Sequence, residues 1–589
     1  MKQPNEQPNI DLQNIHALYD QESFKTALKE CKQFCDKYPD NDQGWLMFAM
    51  LHKKLGNFEA ELNCLDQAAI IDQNNFKPLQ RAGEIHQTLG QREKAKSYYL
   101  EVLKINSDLV STQYNLSVIY LEEKNIQAAI SCLHYIVKID STYWKAQANL
   151  GYIYREQGRY KKSISSYKSA LNFAPNNPQL QFNMGVSYLM ISRFNEAIDC
   201  FLMALSFDKN MAEAYSNLGV ARAGVGLFSQ ALKDTNYAVS IRPNNVKFLR
   251  NLGSVLVKQN NLKEASVVYE RALEIDPSSG DTHFEYSWLL LLAGKLRRGW
   301  VEYEWREYSQ GRQPRELHKP RWDGSLLDGK TILLYSEQGY GDTIQFLRFV
   351  PQVREMGGAI ILECQKRLMP LAKGVKGVDV IVEQGKKLPE YDVEAPLLSL
   401  AKILNIDLDM ISKNTPYIDA PSQIPKNLKV LFDCHKSDIK VGIVWSGNPA
   451  NQRDLIRSCP LSEFSSLTKI DGVKLFSLQI EMEDDVKLPN SIVDLAGYLQ
   501  DFSDTAALVK NLDLVITVDT AVAHLAGALG CPVWTLVCAP PDWRWMLDRL
   551  DTPWYPTMRL FRQGSPFDWK PVLDDVFHEL EQLVCKRSN

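Results

Sequence analysis

The chain divides by the rhythm of its apolar positions. Up to about residue 312 they recur with helical spacing, and the stretches repeat every 34 residues. Pro39, Pro175, Pro243 and Pro277 lie on one lattice of that period, with Gln73, Ser107, Ser141 and Lys209 at its intermediate points. Ten residues on stands a small residue: Gly83, Gly151, Gly185, Gly219 and Gly253, with Ser117 and Ser287 as substitutes. Twelve further on come Ala95, Ala129, Ser163, Ala197, Ala231 and Ala265, and then a last series, Ala170, Ala204, Ala238 and Ala272. This pattern predicts two antiparallel helices per repeat. The Gly or Ser lets the first helix approach the second, and the alanines seat the second helix against the next repeat. One such pair cannot bury its own apolar face, so the repeats must stack. The lattice gives eight repeats from about residue 8 to 279 and a divergent ninth at 280–312. The ninth keeps Ser287 and Gly299 but lacks the terminal Pro, and its segment Trp300-Val-Glu-Tyr-Glu-Trp-Arg306 is predicted to cap the array.

After residue 311 the pattern changes. Gly311–Asp328 carries Pro, Gly and charges and reads as a linker, placed at 313–329. Apolar runs of four to seven residues then alternate with helical stretches. Strands are predicted at Lys330–Tyr335, Ala359–Glu363, Val378–Val382, Lys440–Trp445, Lys474–Leu478 and Leu514–Val518, with one more after Gly530-Cys-Pro532 and a helix from near Asp342. This alternation implies parallel sheets covered on both faces. The polar stretch Asp419–Asp438 divides the region, giving a first lobe at 330–418, an interlobe segment at 419–439 and a second lobe at 440–589. The 34-residue period, with its small residues and terminal Pro, resembles the tetratricopeptide repeat family. The expected fold is therefore an α-solenoid of such repeats followed by an α/β domain of two Rossmann-like lobes, with ligands at the carboxyl ends of the strands.

Composition narrows the function. Hydrophobic residues make up 45% and charged residues 23%, ordinary globular usage, and a net charge of −4 offers no basic excess for nucleic acid. The polar start shows no secretory leader, and apolar runs such as Trp288–Ala293 are too short to span a membrane. Eleven cysteines without a CxxC pair read as reduced thiols in a cytoplasmic protein. No Asp-x-Asp stands at a predicted strand end, no His/Cys cluster has zinc spacing, and no GxxxxGK[ST] occurs, so no metal is expected.

Two residues before the glycine position run Asn115, Asn149, Asn183, Asn217 and Asn251, all 34 apart. One repeat position maps to one line along a stacked array, and here that line is expected on the inner side. A carboxamide both donates and accepts, so such a line can hold the backbone of an extended polypeptide without reading its side chains. The series resembles the asparagine ladder of the O-linked N-acetylglucosamine transferases. The alternative is that these asparagines are solvated or bond a neighbouring helix. Either way the array reads as a protein-binding module.

The second half carries the candidate chemistry. In LVITVDTAVAHLAGALGCPVWTL (514–536), a predicted strand runs into Asp519-Thr520, and a helix follows that carries His524. Free amides at a helix start attract an anion. The segment resembles the D-T-G-x-x-H-L-A motif of the family-9 glycosyltransferases, the heptosyltransferases. That resemblance implies that Asp519, Thr520, Ala521 and His524 hold the diphosphate of a nucleotide sugar; Ala521 departs from the usual Gly. In Glu337-Gln-Gly-Tyr-Gly-Asp342, the Gly-Asp pair matches the place of the family's proposed catalytic base, which implies Asp342. The residue also suits the start of a helix. Ser446, Gly447 and Asn448 form a loop after a strand, with Arg453 and Arg457 nearby; the resemblance implies that Arg457 contacts the donor phosphates. Gln479 closes Phe476-Ser-Leu-Gln479, a strand end expected to border the nucleotide base. Gln338 and Gln345 are candidates for orienting substrate. The aromatic and Arg planes of Asp542-Trp-Arg-Trp545 and Trp554-Tyr555 can stack on a base or sugar, or serve in packing.

The resemblance implies an inverting, metal-independent transferase of GT-B type, needing no cofactor beyond its nucleotide-sugar substrate. The order of domains is similar to that of repeat-containing bacterial flagellin glycosyltransferases, which use nonulosonic-acid donors. The expected partners are then a flagellin-like polypeptide in the repeat groove and a nucleotide sugar. Two other readings stay open: a transferase acting on lipopolysaccharide or capsule precursors, with the repeats as a docking platform, and a non-catalytic repeat scaffold.

Overall fold

The small residues of the lattice stand where there is no room for larger ones. In the computed structural model, which describes residues 7–309, 314–315, 317–411, 415–449, 451, 453–480 and 487–588, nine helical pairs follow one another from Gln7–Asp20 and Phe24–Lys37 to Gly280–Leu292 and Leu296–Tyr303. A Cβ at Gly83 would lie 2.6 Å from the Tyr99 ring, and one at Gly151 or Gly253 would lie 2.8 Å from Tyr167 or Tyr269. At Gly219 the obstacle is the Ala231 carbonyl oxygen, 2.8 Å away across the helix pair. The predicted close approach is therefore made, and in three of these repeats a tyrosine sixteen residues on fills it. Ala95, Ala129, Ala197, Ala231 and Ala265 are fully buried.

A further regularity lies in the turns. Glu22, Gly56, Gly90, Lys124, Gly158, Ser192, Gly226, Asn260 and Gly294 all have φ between 57° and 79°, again 34 residues apart. This left-handed turn joins the two helices of each pair, and glycine supplies it at five of the nine positions.

The chain splits into two compact units, Met1–Tyr188 with Ser206–Lys209, and Leu189–Leu205 with Asn210–Asn589. The second unit thus combines the last repeats with the α/β half. In it, β1 (Thr331–Tyr335), β2 (Ala359–Cys364), β3 (Val380–Glu383) and β4 (Val393–Pro396) form a parallel sheet in the order β3-β2-β1-β4. A second parallel sheet holds β5 (Ile439–Val444), β6 (Val473–Ser477), β7 (Ile492–Asp494), β8 (Leu514–Val518), β9 (Val533–Val537) and β10 (Met558–Arg562), ordered β10-β9-β8-β5-β6-β7. This is the strand order of the doubly wound nucleotide-binding sheet, and its direction reverses between β5 and β8.

The predicted cap is a core element. Trp300 is 1% exposed, its ring centroid lies 5.3 Å from that of Trp543 and 6.0 Å from that of Phe346, and its indole N–H donates to the Ile406 carbonyl at 3.2 Å. One hydrophobic core runs from Leu291 and Trp300 through both sheets' helices to Trp554 and Leu560. In the segment read as a linker, Trp322 and Leu327 are buried, and the Trp322 amide donates to the Glu394 carbonyl on β4 at 2.8 Å. Residues 311–313 and 316 of that segment lie outside the described residues.

Candidate functional site

Both sheets deliver their candidate residues from strand ends at the point where strand order reverses. β1 runs into Ser336–Gly339, and the helix Tyr340–Phe346 follows with Asp342 in its first turn. β8 runs into Asp519-Thr520 and the helix Ala521–Ala528, while β5 runs into Ser446-Gly447. The two helices meet at their starts: a Cβ on Gly341 would lie 2.8 Å from the His524 ring and 3.5 Å from the Ala521 Cα. The first lobe's Asp342 is thereby brought to the second lobe's motif.

Asp342 has both carboxylate oxygens engaged. Oδ2 accepts from the Gly339 amide at 2.9 Å, which caps the helix, and Oδ1 accepts from Arg544 Nη2. Arg544 is 6% exposed, lies over the Trp543 ring at 4.2 Å, donates to Asp542 Oδ1 at 2.9 Å and reaches Gln345 Oε1 through Nε. It therefore ties the loop after β9 to the first lobe's helix. Burial raises the Asp342 carboxyl above the ordinary aspartate range, the Arg544 charge opposes this, and Asp542 adds to the rise. Asp519 is raised as well, by burial and then by the neighbouring charge of Asp542.

His524 is buried, accepts or donates at Nδ1 with the Tyr555 hydroxyl at 2.9 Å, and stacks on Trp545 at 5.4 Å between centroids. Burial, and then the positive charges of Arg544, Arg348 and Arg457, hold it well below the usual histidine range. The Thr520 hydroxyl turns inward to Thr517 Oγ1 at 2.9 Å, so this turn presents backbone amides rather than the side chain.

Arg457 donates to the Asp519 carbonyl at 3.0 Å and to Asp454 at 3.1 Å. A Cβ on Gly447 would come within 2.2 Å of its Nη2, so a larger residue there would displace the guanidinium. Gln479 Oε1 accepts from the Ser446 amide at 3.2 Å, joining the ends of β5 and β6. Asn448 is exposed farther out on the loop. A cavity of about 540 Å³ opens beside the Asp342 loop, lined among others by Arg306, Tyr335, Glu337, Gln338 and Glu363. Among the described residues, no group of three or more His, Cys, Asp or Glu is placed to hold a metal.

The asparagine series is only partly free to receive a ligand. Asn115 donates to the Tyr99 hydroxyl at 3.3 Å, Asn183 accepts from Arg155 at 3.1 Å, and Asn251 donates to Ser216 at 2.9 Å, each partner lying on a neighbouring helix. Asn217 is 6% exposed and Asn149 is half-buried.

Sequence reasoning missed Arg348. It is buried under Tyr417, Trp554 and Tyr555, with ring centroids at 4.7, 5.2 and 4.9 Å, and donates to the Trp554 carbonyl at 2.9 Å, linking the lobes. An arginine inside the apolar run Ile344–Val350 was the available signal.

Comparison with known proteins falls on these same residues. Residues 480–547 match glycosyltransferase family 9 (heptosyltransferase), a span that holds Asp519, Thr520, His524 and Arg544. Residues 77–109 and 247–279 match the tetratricopeptide repeat, and 151–192 match a further TPR repeat model. The chain is 26% identical over 337 residues to protein FlbA of Caulobacter vibrioides; the match spans 51% of this chain and 55% of that protein. Among solved structures, a tetratricopeptide repeat protein from Parabacteroides merdae aligns over 42% of this chain and 98% of its own, at 17% identity and a TM-score of 0.30. YrrB, a TPR protein with an unusual peptide-binding site, covers 30% of this chain and 92% of its own, at 18% identity and a TM-score of 0.28. Fold and site together describe a tetratricopeptide-repeat array joined to an α/β domain with a family-9 glycosyltransferase segment. No helix of the described residues is long and apolar enough to cross a membrane.

Proposed function

We propose that the chain is an inverting glycosyltransferase that moves a sugar from a nucleotide sugar to a Ser or Thr hydroxyl of a polypeptide held by the repeats. The observation that carries this reading is the meeting of Asp342 with the family-9 segment across the two strand-order reversals. Asp342 takes the proton of the acceptor hydroxyl as its oxygen attacks the anomeric carbon, and the bond from that carbon to the phosphate oxygen breaks. Burial raises the carboxyl above the ordinary aspartate range, and the Arg544 charge favours its ionised form. The amides at the start of helix Ala521–Ala528 and the Arg457 guanidinium take the charge that builds on the leaving phosphate. Arginines here fill the role a metal plays in other transferases, and the enzyme needs no further cofactor. It works in the cytoplasm, where its thiols stay reduced.

The acceptor is proposed to be flagellin and the donor a nucleotide-linked nonulosonic acid. Support comes from the order of repeats and transferase segment. The last repeats also lead into the donor side: Trp288 of the ninth repeat lies under Arg453 at 5.1 Å, and helix Gly280–Leu292 packs on Trp543–Trp545. The test is intact-mass measurement of flagellin co-expressed with the wild type and with Asp342→Asn. The expected result is a sugar-sized mass increase with the wild type, and a transfer rate lowered by roughly 10²–10⁴ in the variant. An acceptor left unmodified by the wild type with every nucleotide sugar supplied, or equal transfer by Asp342→Asn, would overturn the reading.

A further inference from the structure

We propose that the cavity of about 540 Å³ beside the Asp342 loop seats the accepting residue, and that it takes a short uncharged polar stretch of polypeptide around the Ser or Thr. The proposal rests on the reading of the chain as a polypeptide glycosyltransferase, and it adds the chemistry of the acceptor.

The cavity lies at the carboxyl ends of three neighbouring strands. Tyr335 and Ser336 come from the end of β1, Glu363 from β2 and Gln384 from just beyond β3. Such ends are where a sheet of this kind receives a ligand. Gln338 also lines the cavity, and the next residue, Gly339, donates its amide to Asp342 Oδ2 at 2.9 Å. A further wall is made by Arg306 and Glu307, in the segment Glu304–Tyr308 that closes the ninth repeat. The cavity thus joins the end of the array to the loop that holds the base. Its backbone is fixed in advance: Gln384 donates to the Ser336 carbonyl at 3.3 Å, and Gln365 to the Gln338 carbonyl at 2.8 Å.

The carboxylates of the cavity are already matched. Glu337 accepts from Arg306 Nη2 at 2.9 Å, Glu307 from Arg321 at 2.9 Å, and Glu363 from Arg315 and from the Gly385 amide at 3.1 Å. A charged ligand entering here would lose its water and find no free countercharge. Uncharged demand remains. Among the described residues, the Tyr335 hydroxyl, Ser336 Oγ and Arg306 Nε have no hydrogen-bond partner, and each of these three residues is 2% exposed. A buried polar atom left unpaired is costly, and a ligand that pairs it recovers that cost. Arg306 Nε can only donate, while the two hydroxyls donate or accept. A peptide group, with one carbonyl and one N–H, answers both needs, and the wall from the array is where a held polypeptide would arrive.

Titration calorimetry on the full chain tests the site, with the wild type, Tyr335→Phe and Ser336→Ala. The probes are the capped peptide Asn-Thr-Ser-Thr-Asn, the same peptide with Lys or with Glu in place of both Asn, and maltotriose as a neutral sugar. The neutral peptide is expected to bind the wild type, and each variant to weaken it about 3- to 10-fold. The melting temperature of each variant should stay the same or rise, because the hydroxyl it removes has no partner to lose. The Lys and Glu peptides should bind at least tenfold more weakly than the neutral one. Equal affinity for the neutral peptide in wild type and both variants would sink the cavity as its seat and leave the polypeptide reading intact. A melting temperature lowered in both variants also overturns the site, since the hydroxyls would then serve the fold. Charged peptides that bind as tightly as the neutral one overturn the selection for an uncharged stretch. Maltotriose bound through Tyr335 and Ser336, with no peptide bound, would make the occupant a glycan and sink the polypeptide reading too. A wild type that binds none of the probes overturns the site, and the mass of co-expressed flagellin then decides the proposed function by itself.

Discussion

The fifth repeat and the ninth follow the same 34-residue spacing but are held by different neighbours. In the fifth, Tyr167 fills the space over Gly151, and the residues around it pack on adjacent repeats. In the ninth, Trp300 stands among Phe346, Trp543 and Trp554, in the core that also holds both sheets' helices. Lattice spacing decides that a helix pair forms. The size of the side chains on its outer face decides what that pair must bury against. An outer face of small and polar residues leaves a repeat exchangeable. An aromatic one makes it part of whatever it meets.

The sharpest way to break this comparison is to remove the two aromatics. Trp300→Ala and Tyr167→Ala are each expected to cost about 3–5 kcal/mol, but in different places. Hydrogen exchange over residues 514–562 should accelerate in Trp300→Ala and stay unchanged in Tyr167→Ala. Equal exchange in the two variants would make the ninth repeat an ordinary one. Next in size is Gly151→Ala, whose methyl would press on the Tyr167 ring and cost about 1–3 kcal/mol. Denaturant unfolding of the first unit reads this directly, and an unchanged midpoint would show that the ring yields freely.

A smaller effect belongs to the second unit alone. His524 is held well below its unfolded value of about 6.5. The unfolded chain therefore binds its proton first as pH falls, so this stability is present above pH 6.5 and is lost as pH falls below it. The melting temperature of the second unit should drop from pH 7 to 5 in the wild type and drop less in His524→Gln. The smallest effect is a gain. Lys124 occupies a left-handed turn that Gly90, Gly158 and Gly226 occupy in other repeats. Lys124→Gly removes about 1–2 kcal/mol of backbone strain and gives back about 0.4–1 in chain entropy. A small rise in the first unit's melting temperature is expected, and a fall would show that Lys124 makes contacts worth more than its strain.

Much of this molecule was legible from spacing. The repeats were, because each reuses one packing surface. β1, β5 and β8 were, because strands buried on both faces leave unbroken apolar runs. β7 and β10 were not. β7 has three residues, and β10 (Met558–Arg562) is an edge strand whose apolar run is broken by Arg559 and Arg562. Asp342 and the 519–524 motif were read separately, and their meeting could not be: Asp342 and Arg544 lie 202 residues apart, and spacing carries no distance over that length. The unit boundary was hidden for a related reason. Pro, Gly and charge around residue 311 read as a linker in the sequence, whereas buried Trp300 and Trp322 share one core.

The aromatic seat of Trp300 also sets the rule for exchanging parts between relatives. A chimera that takes a foreign array up to residue 312 would leave Trp543 and Trp554 facing a surface they were not shaped for. One that keeps residues 210–589 intact and exchanges only what precedes them retains the whole second unit apart from residues 189–205. On the proposed function, recognition of a new polypeptide becomes a matter of grafting upstream repeats, with the last pairs kept as the fixed adaptor.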